Sequence, residues 1–404
     1  MPKKIPNSLF HGSVAQGFEE VQKEFKRNFE ERKELGAACT VYHRGKKVVD
    51  LWGGYRDKKN RTPWAEDTLV LVFSTTKGLS SLALAVAHSR GLFDYDETVA
   101  TYWPEFAQNG KENITIRQLL SHQAGLCAID EPLTLPILAD LDRLASVLAK
   151  QKPAWEPGTK HAYHALSLGY YESELVRRTD SQHRSIGQYF QDELATPLNL
   201  EFYIGLPQEI PDTRIAKIHC PFQNLRMILN IRKIPMKFVK AFLNSHSLTN
   251  RSFTNPKILG NMSNYNKPEL RSIELPASNG IGQVRSIAKA YSVFALGGVE
   301  LGIKQETMEA IVNPAPFPPS GSWDEVLQSD SCFSLGFSKP SPVWRFGSSE
   351  RAFGTSGAGG SFAYADPDSE LSFAYAMNKT DFYLHSDPRE KALSDAAQEC
   401  AANL

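Results

Sequence analysis

The sequence predicts a fold that mixes α-helices with β-strands. Strand-like runs stand near the beginning of the chain, at residues 38–55, and near its end, at residues 361–378. Between them, apolar residues recur mostly at the spacing of helices. The chain has 404 residues, 41% of them hydrophobic, which is enough for a large core and for two or three domains. We therefore expect strands from both chain ends, with helices inserted between them.

The first elements follow from spacing and turn residues. Residues 15–35 predict a helix, with Gly36 as its stop. The apolar side chains that recur there at helical spacing are Phe18, Val21, Phe25 and Phe29. Residues 38–55 then predict two strands joined by a turn at Arg44-Gly45.

Apolar periodicity predicts helices through much of the remaining chain. They lie within residues 79–93, 114–126, 138–151, 153–179, 278–298 and 388–403. The helix in 153–179 follows a Pro-Gly turn, and the one in 278–298 follows a glycine-rich turn. Residues 361–378 predict a hairpin, because Asp366-Pro367-Asp368 supplies turn residues between two strand-like runs.

Charge and composition argue against several classes of protein. Lysine plus arginine (45) equals aspartate plus glutamate (45), so no overall field draws the chain to nucleic acid or to an acidic membrane. The five scattered cysteines favour buried thiols in a reducing compartment over disulfides or a zinc site. No secretory signal or membrane-spanning run is apparent. We expect a soluble cytoplasmic protein with no nucleic-acid partner and no stable membrane insertion; the oligomeric state stays open, a homo-oligomer included.

Residues 211–257 differ from the rest in charge. They contain nine basic residues and one acidic residue, Asp212, with apolar residues interleaved. Such a segment fits a helix that touches a membrane or a partner, or a basic amphipathic cap over the core. Pro235 interrupts the pattern, which argues against one long surface helix and favours the cap.

The stretch FSTTKG, residues 73–78, carries the strongest candidate for catalysis. Its position before an apolar helix places Ser74 at a helix N-terminus, where backbone N–H groups and the helix dipole favour a developing oxyanion. Lys77 lies one turn later on the same face. A serine hydroxyl needs a base, and a buried lysine in its neutral form is one. The same pattern also fits an N-cap serine followed by a solvated lysine.

Other candidates carry less weight. Ser286-x-x-Lys289 repeats the spacing. His161 and His164 lie three apart on a predicted helix, a spacing that can hold a metal, but no third ligand cluster is visible, and a pocket or surface role is favoured. His122 is expected to be structural. No G-x-S-x-G motif is present, which argues against an α/β-hydrolase.

Three motifs in chain order resemble a known family. They are FSTTKG (73–78), WEPGTKHAYHA (155–165) and FGTSGAGGSFAYADP (353–367). From about residue 15 to its end, the chain resembles the serine β-lactamase and penicillin-binding-protein superfamily, in the class C-like branch that includes the family VIII carboxylesterases. The resemblance implies an antiparallel sheet flanked by helices, in an α/β lobe built from residues 1–95 and 276–404. Residues 96–275, including the basic 211–257 insertion, would form a helical lobe.

The resemblance also implies site residues. Ser74 would be the nucleophile, Lys77 and Tyr163 the proton-transfer pair, and the backbone N–H groups of Ser74 and Ala358 the oxyanion hole. Which of Lys77 and Tyr163 is the base stays open. The candidates for lining the substrate pocket are Thr355, Ser356, Gly357, His164 and Ala165. No metal or cofactor is expected.

Two positions depart from the class C pattern. Ala165 stands where those lactamases have an asparagine that contacts the lactam side-chain amide. Thr355 stands where lysine, or histidine in many esterase-like relatives, begins the third motif. Both changes remove groups that hold a carboxylated, amide-bearing antibiotic, whereas ester cleavage needs only nucleophile, base and oxyanion hole.

The sequence therefore predicts a serine carboxylesterase that cleaves small short- to medium-chain esters through an acyl-enzyme. Weak β-lactamase or acyltransferase activity is compatible with this chemistry. Two alternatives stay open. One is a β-lactamase, D-amino-acid peptidase or DD-peptidase, and the other is a non-catalytic binding or assembly protein that keeps the fold.

Overall fold

The computed structural model describes residues 6–220 and 233–404. The strands, in chain order, are β1 (Phe10–Val14), β2 (Gly36–His43), β3 (Lys46–Asp57), β4 (Thr62–Pro63), β5 (Val70–Leu71), β6 (Phe202–Tyr203), β7 (Ile281–Gly282), β8 (Trp323–Asp324), β9 (Ser329–Asp330), β10 (Phe333–Ser334), β11 (Phe337–Ser338), β12 (Phe353–Ser356), β13 (Phe362–Asp366) and β14 (Leu371–Met377).

The α-helices of the described residues are numbered in the same way. They are α1 (Glu19–Glu30), α2 (Thr75–Ser89), α3 (Val99–Tyr102), α4 (Ile116–Leu120), α5 (Leu135–Ala139), α6 (Leu141–Lys150), α7 (Ser167–Thr179), α8 (Ile186–Phe190), α9 (Met236–Leu243), α10 (Leu248–Thr254), α11 (Pro268–Ser272), α12 (Val284–Ala295), α13 (Gln305–Val312) and α14 (Pro388–Ala402).

A nine-stranded antiparallel sheet joins the two ends of the chain. Its order is β1-β3-β2-β14-β13-β12-β11-β10, with β4 paired to β3. The β2–β14 pair connects the strands from the chain start to those from the chain end. This confirms the predicted fold class, an antiparallel sheet with helices. The lobe boundaries at 1–95, 96–275 and 276–404 stay a prediction.

The sheet lies between two hydrophobic cores, and large and small side chains alternate along its strands. On β13 and β14, the large residues Phe362, Tyr364 and Phe373 belong to one core. The intervening alanines, such as Ala363 and Ala374, belong to the other. Since side chains alternate between the faces of a strand, the pattern gives one bulky face and one flat face. Helices α1 and α14 pack with the bulky core, and α12 and α2 pack on the flat side.

Both predicted hairpins are confirmed. β2 and β3 are joined at Arg44-Gly45, where both residues have positive φ values of 51° and 73°. Such a turn matches the twist of the flanking strands. β13 and β14 pair from Asp366 opposite Leu371 onward.

Three helix predictions are wrong in extent. Within 114–126 only α4 is α-helical, and His122 has a φ of +63°, which no helix accommodates. Within 153–179 the helix begins at Ser167, so Tyr163 and both flanking histidines precede it. The first helix ends at Glu30, and Gly36 begins β2 instead of stopping the helix.

The basic segment 211–257 is described in part, since residues 221–232 lie outside the described residues. Helix α9 begins directly after Pro235, as expected for a proline that interrupts a longer pattern. Its Phe238 and Val239 are buried, whereas Met236 and Leu243 are exposed. This helix is therefore amphipathic, with its aromatic side turned to the protein.

A buried ion cluster fastens the C-terminal helix to the glycine-rich turn after β12. The Arg389 guanidinium donates to the Asp387 carboxylate at 2.7 Å and to the Gly359 carbonyl at 2.8 Å. It also lies 3.4 Å from the Glu34 carboxylate, and both side chains are almost completely buried. Removing one partner of such a cluster leaves an uncompensated buried charge, which costs several kcal/mol.

We expect Arg389→Met to lower the free energy of unfolding by about 3–5 kcal/mol, because Glu34 and Asp387 lose their buried counter-charge. Urea denaturation followed by circular dichroism measures the change. The matched control is Lys391→Met on the same helix, whose ion pair with Asp395 is half exposed. That control is expected to cost at most about 1 kcal/mol, and equal losses in the two variants would contradict the assignment.

Candidate active site

Ser74 stands at a sharp turn between β5 and α2. The preceding residue, Phe73, has a φ of +48°, a left-handed conformation that is strained for a bulky side chain. Its ring packs edge-on against Tyr265, with centroids 5.3 Å apart, which holds the turn. Ser74 is the N-cap residue of α2 and is only partly buried. The turn therefore presents the hydroxyl at the start of a helix.

The Lys77 amine is held by three oxygens. Its Nζ lies 2.6 Å from the Ala165 carbonyl oxygen, 2.9 Å from the Ala277 carbonyl oxygen and 3.2 Å from Ser74 Oγ. A neutral amine has two N–H donors and one lone pair. An ammonium would donate to all three oxygens, whereas in the neutral amine the two carbonyls match the two donors and the lone pair is left for the Ser74 hydroxyl proton.

Burial makes this neutral form accessible. Lys77 is 1% exposed, and burial lowers the pKa of its amine from 10.5 to about 7, although the nearby Glu172 carboxylate acts in the opposite direction. Near neutral pH, a substantial fraction of Lys77 is therefore able to accept a proton.

Tyr163 lies beside this pair on a non-helical segment. Its ring centroid is 4.7 Å from Lys77 Nζ. Burial raises the pKa of the Tyr163 phenol, and a hydrogen bond with Ser74 opposes that shift. Its backbone N–H donates to both carboxylate oxygens of Asp324, at 3.0 and 3.2 Å. Asp324, which is fully buried, thus fixes the tyrosine from a strand far away in sequence.

The turn after β12 lies against the residues on both sides of Ser74. Ser361 Oγ donates to the Val72 carbonyl at 2.7 Å and accepts from Thr75 Oγ1 at 3.1 Å. Within the described chain, the backbone N–H groups of Ser74 and Ala358 donate no hydrogen bond. Two N–H donors thus belong to segments held together by Ser361, and both are available to an oxygen anion.

A cavity of about 220 Å³ opens above these groups. Ser74, Lys77 and Tyr163 all line it, together with Ser356, Gly357 and Ala358. Most of the remaining wall is apolar and aromatic, including Ile234, Phe238, Phe242, Phe253, Leu259, Met262, Leu327, Phe333 and Phe382. Such a wall suits an apolar substrate group.

Comparison with known proteins identifies the family. A sequence model of the Beta-lactamase family matches residues 21–396. The chain belongs to this family. It is 31% identical to the esterase/beta-lactamase LipL of Mycobacterium tuberculosis over 375 residues, which are 91% of this chain and 82% of that protein.

Solved structures agree with this assignment. The fold matches the crystal structure of a family VIII carboxylesterase with a TM-score of 0.84 and 34% identity, covering 97% of this chain and 99% of the other. It matches a penicillin-binding protein homologue from Caulobacter crescentus with a TM-score of 0.82 and 32% identity, over 97% of this chain and 99% of the other. The resemblance inferred from the three motifs is confirmed, and the chain is an esterase- and β-lactamase-like serine hydrolase by family.

The two departures from the class C pattern have visible consequences. Thr355 is buried, and its hydroxyl donates to the Thr75 carbonyl at 3.1 Å and lies 3.3 Å from the Tyr291 hydroxyl. The threonine is thus tied into the wall, although it lines the cavity. Ala165 lines the cavity, and its carbonyl accepts a hydrogen bond from Lys77.

The three histidines near Tyr163 all contact backbone groups. His164 is not among the residues that line the cavity; its Nδ1 lies 2.7 Å from the Ala162 carbonyl, and its Nε2 accepts from the Leu126 N–H at 3.2 Å. His122 Nδ1 accepts the His164 N–H at 3.1 Å, so His122 is structural although its ring reaches the cavity. His161 contacts the Ser322 carbonyl. Among the described residues, no group of three or more His, Cys, Asp or Glu is placed to hold a metal ion.

Sequence reasoning missed several residues at this site. Asp324 lies 161 positions from Tyr163 in sequence, and no local pattern indicates the contact. Glu172, within the helix pattern of α7, is fully buried near Lys77. The sequence signal that could have identified Glu172 is a charged residue among the apolar positions of a predicted helix. Separately, no described helix is both long enough and apolar enough to cross a membrane.

We expect the stability offset between Lys77→Met and wild type to change with pH. Because the folded pKa of Lys77 is depressed to about 7 from 10.5, the unfolded chain binds more protons at Lys77 between these values, and the contribution of Lys77 to stability rises with pH through them. From pH 7 to pH 9 the offset should shift toward wild type by about 2–3 kcal/mol. Denaturant unfolding at the two pH values measures it.

The control for this measurement is Leu79→Met, a buried substitution on the same helix that changes no titratable group. Its offset from wild type should stay constant between pH 7 and pH 9. An offset for Lys77→Met that is equally constant would show that the buried amine does not titrate as described.

Proposed function

We propose that the protein is a serine carboxylesterase that cleaves short- to medium-chain carboxylic esters through an acyl-enzyme on Ser74. The observation that carries this proposal is the placement of Lys77 Nζ, which is bound by two carbonyls and lies 3.2 Å from Ser74 Oγ. A neutral amine in that position has one function left for its lone pair, which is to take the serine proton.

The reaction then follows in two stages. Ser74 Oγ attacks the ester carbonyl, and its proton passes to the Lys77 and Tyr163 pair. The carbonyl oxygen, now an anion, is bound by the backbone N–H groups of Ser74 and Ala358. Collapse of this intermediate breaks the bond to the alcohol, which leaves with the proton that the pair held. Water, activated by the same pair, then attacks the acyl-enzyme and releases the acid.

The cavity wall supports an ester over a carboxylated lactam. A carboxylate is held most strongly by a cation that is free to pair with it. Lys339 reaches the wall, but its Nζ donates to the Val312 and Arg351 carbonyls at 2.7 and 3.2 Å. The Thr355 hydroxyl is likewise engaged by Thr75 and Tyr291. The proposal therefore assigns the aromatic wall to an apolar acyl or alcohol group.

The remaining parts of the proposal follow from this chemistry. Nucleophile, base and oxyanion donors all come from the chain, so the reaction needs no cofactor. The substrate is a small ester, and neither nucleic acid nor membrane insertion is required. The five cysteines are buried, as is usual for thiols in a reducing compartment, which supports the proposed cytoplasmic location. Transfer of the acyl group to an alcohol in place of water is a side activity that the same intermediate permits.

Brief exposure to a serine-directed phosphonate should add one adduct to wild type and none to Ser74→Ala. Intact-mass spectrometry measures this directly. Ser286→Ala is the matched control, because it removes the other serine of the same spacing. Ser286 Oγ accepts the Glu201 N–H at 2.9 Å, and Lys289 Nζ donates to the Leu198 carbonyl at 2.6 Å, so this pair is structural.

That control should be labelled as fully as wild type. Labelling that persists in Ser74→Ala, or a wild type that stays unmodified, would reject Ser74 as the nucleophile. The non-catalytic alternative would then account better for the fold.

Rates measured on a panel of substrates should distinguish an esterase from enzymes that cleave lactams or other amides. We expect kcat/KM for p-nitrophenyl esters from acetate to octanoate to exceed that for a chromogenic cephalosporin by at least about 100-fold, since each lost polar contact is worth about 1–3 kcal/mol. Phe253→Ala, which enlarges the cavity next to Tyr163, should shift the preferred acyl chain to greater length while acetate cleavage stays near wild type. Equal turnover of the cephalosporin and the esters would favour a β-lactamase.

A further inference from the structure

The proposed oxyanion hole takes one of its two N–H groups from a tight turn between β12 and β13. The Gly360 N–H donates to the Gly357 carbonyl at 3.1 Å, which closes a β-turn with Ala358 and Gly359 as its central residues. Gly359 has a φ of +92°, as the third residue of a type II turn requires. The N–H of the second residue takes no part in the hydrogen bond that closes such a turn. The turn geometry therefore leaves the Ala358 N–H available to an anion.

The two central residues of this turn lie in different surroundings. Ala358 is exposed and lines the cavity, whereas Gly359 is buried. A buried backbone carbonyl needs a hydrogen-bond donor. The Gly359 carbonyl has two donors, Arg389 Nη2 at 2.8 Å and the Asp381 N–H at 3.1 Å. The position of the Ala358 N–H therefore depends on how these donors hold the next residue.

The Arg389 guanidinium donates from a fixed position. Its Nε and Nη2 bind the two oxygens of the Asp387 carboxylate at 3.0 and 2.7 Å. Its Nη1 donates to the Lys379 carbonyl at 2.8 Å. Asp387 is itself fixed, because it is the N-cap of α14 and accepts the Arg389 N–H at 2.9 Å. The planar fork is thus held at all three nitrogens, and Nη2 connects it to the turn.

The turn rests directly on this ion cluster. A Cβ at Gly360 would lie 2.7 Å from Asp387 Oδ2 and 2.9 Å from Arg389 Nη2. Gly360 also has a φ of +117°, so glycine is needed there for both space and conformation. Arg389 is not among the residues that line the cavity. Any effect of its side chain on a substrate must therefore pass through the turn.

We propose that Arg389 is a positioning residue which, through the Gly359 carbonyl, holds the Ala358 N–H where the oxyanion forms. This inference rests on the proposed function. A preorganised donor stabilises the transition state only when it points at the developing charge. Displacing that donor slows the reaction without weakening the binding of the uncharged substrate. The buried cluster thus supports the reaction as well as the stability of the fold.

The test is kcat/KM for p-nitrophenyl butyrate in Arg389→Lys, expressed per active site as titrated to completion with a serine-directed phosphonate. Lysine keeps a positive charge beside Asp387 and Glu34 but cannot reproduce the planar fork that reaches Gly359. The rate per active site should fall at least about ten-fold. This is part of the roughly 100- to 1,000-fold cost of losing an oxyanion donor, because the Asp381 N–H still holds the carbonyl.

Two inhibitors separate the transition state from the ground state. An alkylboronic acid forms a tetrahedral adduct on Ser74 and places an oxygen in the oxyanion hole, so its inhibition constant should rise about as much as the rate falls. The ether p-nitrophenyl butyl ether has the shape of the substrate but no carbonyl. It should inhibit wild type and Arg389→Lys with the same inhibition constant.

Two further variants separate positioning from a merely structural role. Tyr375→Phe is the matched control, because it removes a hydroxyl that donates to Glu34 in the same buried cluster but leaves the bond from Arg389 to Gly359. It should lower the midpoint of urea unfolding while the rate per active site and the boronic acid constant stay at wild-type values. Asp387→Asn keeps a good N-cap but weakens the hold on the guanidinium. Its rate should fall in the same direction as in Arg389→Lys, but less.

An unchanged rate per active site in Arg389→Lys, with unchanged inhibition by the boronic acid, would overturn the proposal. Equal losses in Tyr375→Phe would also overturn it, since the cluster would then be only structural. If Arg389→Lys does not fold, an unchanged rate in Asp387→Asn overturns it instead. Failure of the proposed function gives a different result, because wild type would then take up no phosphonate or Ser74→Ala would retain ester turnover.

Discussion

The burial of the Lys77 amine is the interaction on which the rest of the site depends. Its Nζ is bound by the Ala165 carbonyl, from the segment before α7, and by the Ala277 carbonyl, from the segment before β7. Three parts of the chain that are distant in sequence therefore meet at one nitrogen. Two carbonyls fix the direction of the remaining lone pair, and burial lowers the pKa of the amine to about 7. Under the proposed function, Lys77 is then the base for Ser74.

The sheet makes this arrangement possible by presenting a flat face to α2. Alanines on β13 and β14 alternate with large aromatic residues, so α2 and α12 approach the sheet closely on one side. Gly78 shows how close this packing is, because a Cβ there would lie 1.8 Å from the Tyr291 hydroxyl and 2.6 Å from Thr355 Oγ1. In the same packing, the Thr355 hydroxyl contacts Thr75 and Tyr291. It is therefore not free to bind a substrate carboxylate. Under the proposed function, the packing of α2 on the sheet therefore also influences which substrates bind.

The sequence indicates those features that depend on neighbouring residues. The hairpins follow from turn residues and alternation, and the Ser74 and Lys77 spacing follows from one helical turn. The apolar spacing around Tyr163 continues into α7 and predicts a helix there, yet Asp324 holds this segment in a non-helical form. No local pattern encodes a contact of that range. Two further features could not be predicted from the sequence for the same reason: the aromatic cavity wall from α9 and α10, and the buried carboxyl of Glu172. Tertiary packing decides which face of each helix meets the cavity.

The most direct test of the central claim is the titration of the Lys77 amine itself. Protein labelled with carbon-13 at the lysine ε-carbon is followed by NMR between pH 5 and pH 11, and the Lys77 signal is assigned by its loss in Lys77→Met. This assignment is necessary because burial also lowers the pKa of Lys111 to about 8 and of Lys339 to about 7. A midpoint near pH 7 is expected for Lys77. A midpoint near pH 10 would mean that Lys77 is an ammonium throughout the working range, and the assignment of a lysine base would fail.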